Sequence, residues 1–411
     1  MRVAYQRARQ RLDCGSQWCG PVERAPDGEG TMNSERPPLS ATPLKRLVGV
    51  DLMRGLVMVL MAIDHSSDAF NAGRLFTDSA RLYHPERALP TLQFLVRWVT
   101  HLCAPTFLLL AGVGLAFTVR KELAHGKSQL SVDRYLLTRG LLIAAFELWI
   151  SYFVMPKGTI LLQVLYAIGT SYVLMIPLRR CSNGLTLALS LGLLATLELG
   201  VDLLSAHFGA HAPLWVTLLF VPGDPAPLVV GYPTLHWLAL LLLGWSLGNY
   251  SIAKPQSVSL LSRKLALVGS TSLLCFIVIR GVNGYGNMGL LRGDGSLVQW
   301  LHVSKYPPSL SYVTLELGLC FLCLSGWFAW SAIHPPKPSN LFLVLGQTPL
   351  FFYLLHFPLL VSSAHWLRVE SKLGLGATFL GAAIVVAVLY PACRAYRSYK
   401  GAHKHSLARY F

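Results

Sequence analysis

Residues 50–70 read VDLMRGLVMVLMAIDHSSDAF, and this stretch decides how the rest of the chain is taken. It opens on Asp51 and Arg54, runs through an apolar segment from Leu56 to Ile63, and closes on Asp64, His65 and Asp68. Ionisable groups at or within a bilayer are costly and usually functional, so charges at both ends of a first membrane helix need a reason. Arg54 and His65 stand eleven residues apart. At 100° per residue that is three turns and a small offset, which puts both on nearly one helix face, ~16 Å apart along the axis. A polar stripe on an otherwise apolar helix points into a bundle rather than at lipid.

Composition extends the reading to the whole chain. Its 411 residues are 53% hydrophobic and only 13% charged, with a mean hydropathy of +0.49; a soluble domain carries roughly 25% charged residues. Several apolar runs approach the ~20 residues a membrane helix needs. The fold class is therefore all-α: a polytopic integral membrane helix bundle of about ten transmembrane helices, both termini cytoplasmic. The formal net charge of +16 comes from basic residues gathered in alternate loops, as the positive-inside rule expects, and a nucleic-acid partner is set aside. Eight cysteines are scattered, and only Cys320 and Cys323 stand in a CxxC spacing, inside an apolar run with no further Cys or His nearby. No metal site and no disulfide framework is expected.

Residues 1–43 are polar and lack the apolar core of a signal peptide, so a disordered cytoplasmic tail is expected, with Met32 as an alternative start. A membrane domain over 44–393 follows, then a basic cytoplasmic tail over 394–411. Spans are predicted at about 44–64, 93–118, 135–154, 159–177, 184–204, 229–248, 262–280, 309–332, 340–361 and 375–393. Gly112 and Gly114 in the second permit close helix packing. The loop around Trp215–Phe220 reads as a re-entrant or interfacial segment. Leaving out residues 1–43 and Arg54, segments assigned inside hold 18 Lys and Arg and those assigned outside hold 10. No repeat of solenoid period is evident.

The polar residues with chemical capability gather on the outer side. Asp64, His65 and Asp68 end the first span, His84 lies in the first outer loop, and His101 opens the second span. Lys305 and Tyr306 precede the eighth, and His356 ends the ninth. Groups distant in sequence that converge on one mouth describe a site between helices. Asp68, one turn after His65, is placed to hold its ring in one tautomer and stabilise the imidazolium, as general-base catalysis needs. Arg54 is read either as an ion pair with Asp51 or as a functional group deep in the span. Asp224 and Asp294 read as turn residues, whereas Glu147 and Glu316 lie mid-span, and a polar channel or a partner arginine is the functional reading of each. There is no Walker lysine loop, no GxSxG elbow and no HExxH, which argues against an ATP-driven pump and a metalloprotease.

VDLMRGLVMVLMAIDH resembles the opening of the heparan-α-glucosaminide N-acetyltransferase-like membrane proteins, and THLCAPTFLLLAG, SKYPPSLSYVTLELG and GQTPLFFYLLHFPL look like the bacterial branch of that family. The resemblance spans roughly residues 45–400. In the related bacterial sugar O-acyltransferases, the first span ends in a histidine eleven residues after the arginine of an LRG-type motif, and Arg54 and His65 stand at that spacing. The resemblance implies acyl transfer across a membrane, a bacterial inner membrane, with acetyl-CoA or another acyl-CoA as co-substrate and no bound cofactor. The donor enters from the cytoplasm, and an envelope glycan or small sugar approaches from outside. His65 is implied as base or acyl carrier, with Asp64 and Asp68 beside it, and Arg54, His101, His356 and Lys305 on the donor. In the lysosomal enzyme the position matching His65 looks like an asparagine and the proposed histidine lies further into the first outer loop, so His84 stands as the alternative base. Membrane lipids are implied partners, and a homo-oligomer is compatible with the sequence. Two other readings compete: a transporter or flippase, which would favour inverted repeats, and a non-catalytic membrane subunit.

Overall fold

The computed structural model describes residues 47–86 and 88–403; the polar segment 1–43 and the end of the basic tail lie outside them. Fourteen α-helices are described: α1 (Val48–Phe70), α2 (Thr91–Thr100), α3 (Cys103–Ala124), α4 (Gln129–Val154), α5 (Val164–Leu178), α6 (Asn183–Phe208), α7 (Leu214–Leu219), α8 (Thr234–Ala253), α9 (Val258–Val282), α10 (Leu297–Leu301), α11 (Leu310–Ile333), α12 (Leu341–Gln347), α13 (Pro349–Leu367) and α14 (Leu375–Ala402). Among the described residues, seven spans are long and apolar enough to cross a membrane: the α2–α3 unit, α4, α6, α9, α11, α13 and α14. The all-α expectation needs one amendment. Two three-residue strands, β1 (Ile160–Leu162) and β2 (Leu228–Val230), pair in parallel. They are the extended lead-ins to α5 and α8, and pairing satisfies backbone groups that a helix would otherwise have closed internally.

The chain runs back and forth between two ends of the bundle, and hydrogen bonds hold the loops at each. Where α1 ends, Ala72 N donates to Leu373 O (2.8 Å), Ile160 N to Pro227 O (2.9 Å) and Lys305 N to Asp78 O (2.8 Å). Where α1 starts, Arg179 binds Gln129 and Asp133, and Tyr390 donates to Ser339 O. Helices α4, α6, α9 and α12 leave this second end, and each begins at a side-chain cap, Ser128, Ser182, Ser257 and Asn340.

Helix pairs approach at glycines, because an added Cβ would meet the facing backbone. At Gly55 it would stand 1.9 Å from Phe342 O, at Gly346 1.8 Å from Asp51 O, and at Gly112 2.0 Å from Leu241 O. Packing of this closeness, with small residues at the contact, is how helices associate where no hydrophobic force separates them from lipid. The predicted role of Gly114 differs: its missing Cβ makes room for Arg54, whose Nη2 would lie 2.8 Å away. The outer faces of α4, α6, α9 and α14 expose leucine, isoleucine and valine, among them Leu141, Leu191, Leu267 and Ile384, an apolar belt suited to hydrocarbon.

Three boundaries differ from expectation in ways that shape the site. Helix α1 runs six residues past 64, so His65 and Asp68 are helical. Its last turn is held against α14 by Ser66, whose hydroxyl donates to Thr378 O at 2.7 Å. The second span is broken at His101–Leu102. Pro105 lacks the N–H that would bond His101 O four residues back, and the Tyr312 hydroxyl donates to that oxygen instead, at 3.0 Å. Finally, α14 continues to Ala402, so Arg394, Arg397 and Lys400 belong to a helix rather than to a tail beginning at 394.

Candidate active site at the end of α1

A cavity of about 580 Å³ opens where α1 ends. Asp64, His65 and Asp68 line it from α1, Arg74 and Asp78 from the following loop, Arg97 and Thr100 from α2, Lys305 and Tyr306 from the turn before α11, and Tyr353 and Phe357 from α13. The carboxylates are tied to arginines. Arg97 reaches Asp64 Oδ1 at 2.6 Å and binds Asp78 Oδ2 through two nitrogens. Arg74 reaches Asp64 at 3.1 Å and Asp68 at 3.1 Å. Thr100 donates to Asp64 at 3.0 Å. Burial pushes the Asp78 carboxyl up, but the Arg97 guanidinium and His101 pull it down further and hold it far below the ordinary carboxylate range. Two charge-assisted contacts from one guanidinium form a rigid fork, so this network clamps the end of α1 to α2 and its loop.

His65 is outside that clamp. Its Nδ1 lies 2.8 Å from His356 Nε2, and its ring stacks on Phe357 with centroids 4.1 Å apart. His356 Nδ1 sits 3.0 Å from both Phe352 O and Tyr353 O. Carbonyl oxygens only accept, so His356 Nδ1 carries the hydrogen. With both rings neutral, His356 Nε2 then accepts from His65 Nδ1, and the lone pair of His65 is left on Nε2. That nitrogen has no hydrogen-bond partner among the described residues. A backbone–His–His chain therefore sets the tautomer that a base facing the cavity needs.

A second cavity, of about 260 Å³, lies toward the end where α1 starts. Arg54, Arg139, Lys400, Tyr135, Tyr172 and Gln347 supply its polar lining. Arg54 donates to Leu110 O at 2.6 Å and stands 3.6 Å from Asp51, so the predicted ion pair and the cavity position coexist. Met61, Val164 and Tyr353 line both cavities.

Several expected placements change. Asp68 faces Arg74, not His65, so the partner that orients the ring is His356 on another helix. Asp64 lines the cavity, but its carboxylate accepts from Arg74, Arg97 and Thr100. His84 is exposed on the surface, 3.9 Å from Glu86, and is not among the cavity lining. His101 is buried behind Asp78, 3.3 Å from Oδ1, and lines neither cavity. His356 is likewise buried behind His65, in no position to touch a ligand from either cavity. Lys305 does line the first cavity, while Arg54 lines the second. Among the described residues no three His, Cys, Asp or Glu side chains converge as metal ligands would.

The model of the heparan-alpha-glucosaminide N-acetyltransferase catalytic region matches residues 46–280. The chain belongs to that family. No curated protein sequence matches it individually. Family membership and the apolar helices make it an integral membrane protein of a transferase family. The matched stretch contains α1 and the Asp64–Arg97–Asp78 clamp; Lys305, Tyr353 and His356 come from beyond it. Sequence reasoning missed Arg97, Asp78 and Arg139. Arg97 carried a signal, since an arginine one turn before His101 in an apolar span demands a partner. Asp78, in a polar loop, carried none.

Proposed function

We propose that the protein moves an acyl group, acetyl in the simplest case, from acyl-CoA to a sugar hydroxyl or amine on the opposite side of a bacterial inner membrane. The observation that carries this reading is the pair of neighbouring cavities that share Met61, Val164 and Tyr353 in their linings. One is lined by Arg54, Arg139 and Lys400, cations suited to the phosphates of CoA. The other holds His65. The ~16 Å of helix between Arg54 and His65 suits an extended pantetheine arm. Ten traverses result when α1, α5 and α8 join the seven apolar spans. The excess of basic residues at the end where α1 starts supports a cytoplasmic location for that end and both termini.

In the reaction, the acceptor O–H or N–H gives its proton to His65 Nε2 as its heteroatom attacks the thioester carbon. The C–S bond then breaks, the carbonyl re-forms, and the leaving thiolate takes the proton from the imidazolium. A thioester is already activated, so proximity and a proton acceptor are the main contributions required. His356 acts through His65 as a positioning residue. The clamp of Asp64, Asp68, Arg74, Arg97 and Asp78 holds the cavity wall.

Detergent-purified protein given radiolabelled acetyl-CoA and a panel of amino sugars and glycans should transfer label. In His65→Ala, transfer should fall by ~10²–10⁴-fold. Full activity in His65→Ala together with loss in His84→Ala would move the base to the loop histidine. A wild type that never binds CoA would remove the donor from the reading.

A further inference from the structure

We propose that Lys305 is a catalytic residue whose ammonium receives the thioester carbonyl oxygen as it becomes an oxyanion, in the cavity that His65 also lines, and that the acceptor nucleophile arrives uncharged. The proposal rests on the acyl-transfer reading above. Lys305 sits on the turn between α10 and α11, with its backbone N–H on Asp78 O at 2.8 Å and that of Tyr306 on the same oxygen at 3.2 Å. The turn is closed further by Ser304, whose hydroxyl donates to Pro307 O at 2.9 Å. The backbone is thus fixed to the clamp that holds the end of α1.

Lys305 is only 4% exposed, and its side chain lines the cavity. Arg74, Arg81 and Arg97 line the same cavity, and each is paired with a carboxylate. Lys305 alone among these cations has no hydrogen bond or ion pair from its ammonium among the described residues. Its Nζ stands 5.3 Å from the centroid of the Tyr306 ring. Sequestering an ammonium without a partner is costly, and it leaves three donors for whatever arrives.

Charge decides what that is. Asp64, Asp68, Asp78 and Asp224 line the cavity against Arg74, Arg81, Arg97 and Lys305, so with neutral His65 the lining sums to zero. A permanently anionic ligand would leave an unbalanced negative charge there. An oxyanion formed as His65 becomes imidazolium leaves the balance at zero, with both new charges present only around the transition state. As the acceptor attacks, its proton passes to His65 Nε2 and the carbonyl π electrons move onto oxygen, beside Lys305 Nζ. As the C–S bond breaks, those electrons return, and the thiolate takes the proton back from His65.

The test compares the full-length wild type with Lys305→Met and Lys305→Arg in detergent, measuring acetyl transfer to a neutral acceptor and CoA binding by calorimetry. Lys305→Met should lose ~10²–10³-fold in kcat, while its Kd for CoA stays within about threefold of the wild type. Lys305→Arg, which keeps the charge, should retain more than about a tenth of the activity. A kcat for Lys305→Met within about threefold of the wild type, or a loss confined to CoA binding, overturns the assignment. If Lys305→Met shows no thermal transition, Lys305→Gln is read by the same two quantities. A wild type that transfers nothing overturns acyl transfer and this proposal together, whereas an active wild type equalled by Lys305→Met overturns Lys305 alone.

Discussion

At the scale of single residues, Asp78 holds more of the site than any group with a chemical role. It takes two nitrogens of Arg97, lies beside His101, and through its backbone oxygen receives the N–H groups of Lys305 and Tyr306. Asp78→Asn should cost about 3 kcal/mol, the low end for breaking a buried pair, because Arg97 keeps Asp64. The sign of its pH dependence follows from a carboxyl held below its ordinary range. Such a group stabilises the fold fully above its unfolded pKa of about 3.9 and loses that contribution only as pH falls further. The difference in melting temperature between wild type and Asp78→Asn in detergent should therefore stay level from pH 8 to pH 5. A difference that shrinks over that window would show that Asp78 is not ionised against Arg97. The eleven-residue spacing of Arg54 and His65 was legible, and the two residues line separate cavities on one helix. The partner of His65 was not legible. Asp68 is three residues from His65, whereas His356 is 291 residues away, and no local rule couples residues so distant. Asp68 turned instead to Arg74, a residue of the loop that the sequence left without structure.

At the scale of elements, apolar runs located the long helices, with ends as much as nine residues out at α14, because hydrophobic length is a local property and helix ends are not. The interruptions depended on what packs against them. The break before α3 needs both Pro105 and the Tyr312 hydroxyl, and α12 is separated from α13 at Thr348–Pro349. The segment between α9 and α11 read as a long Gly-rich loop, and its order comes from two buried charges. Glu198 on α6 accepts from Gly286 N at 2.7 Å and Met288 N at 2.8 Å. Arg280, fully buried at the end of α9, uses all five N–H groups: Nε on Trp300 O, Nη1 on Asn287 Oδ1 and Leu290 O, and Nη2 on Gln299 O and His302 O. Lysine has three donors, so Arg280→Lys leaves at least two acceptors unpaired, at about 1–3 kcal/mol each. Amide hydrogen exchange over residues 284–304 should accelerate in Arg280→Lys while the middle of α1 stays protected. Unchanged protection in that segment would mean that Glu198 and α10 order it without Arg280.

At the scale of the whole molecule, acyl transfer across a bilayer demands that Arg54 and His65 be reached from opposite sides. The loops divide into two sets. By the alternation of the helices, one holds 71–86, 88–90, 155–163, 209–233, 283–309 and 368–374, and the other holds 125–128, 179–182, 254–257 and 334–340. His84 belongs to the first and is exposed, and Lys127 belongs to the second and is exposed. In a background with all eight native cysteines replaced, His84→Cys and Lys127→Cys report the sidedness directly. In intact cells a membrane-impermeant maleimide should label His84→Cys and spare Lys127→Cys; in inverted vesicles the pattern should reverse. Labelling of both from one side would contradict a membrane-crossing α2–α3 unit, which is the element between the two positions. The opposite polarity would keep the bundle and both cavities but turn the proposed donor site outward, where CoA has no supply. The positive-inside excess favours the first outcome, and the physical reason is the same one that makes Arg54 tolerable. Its charge sits near the end of the bundle richer in basic residues, beside Asp51, facing a polar cavity rather than lipid.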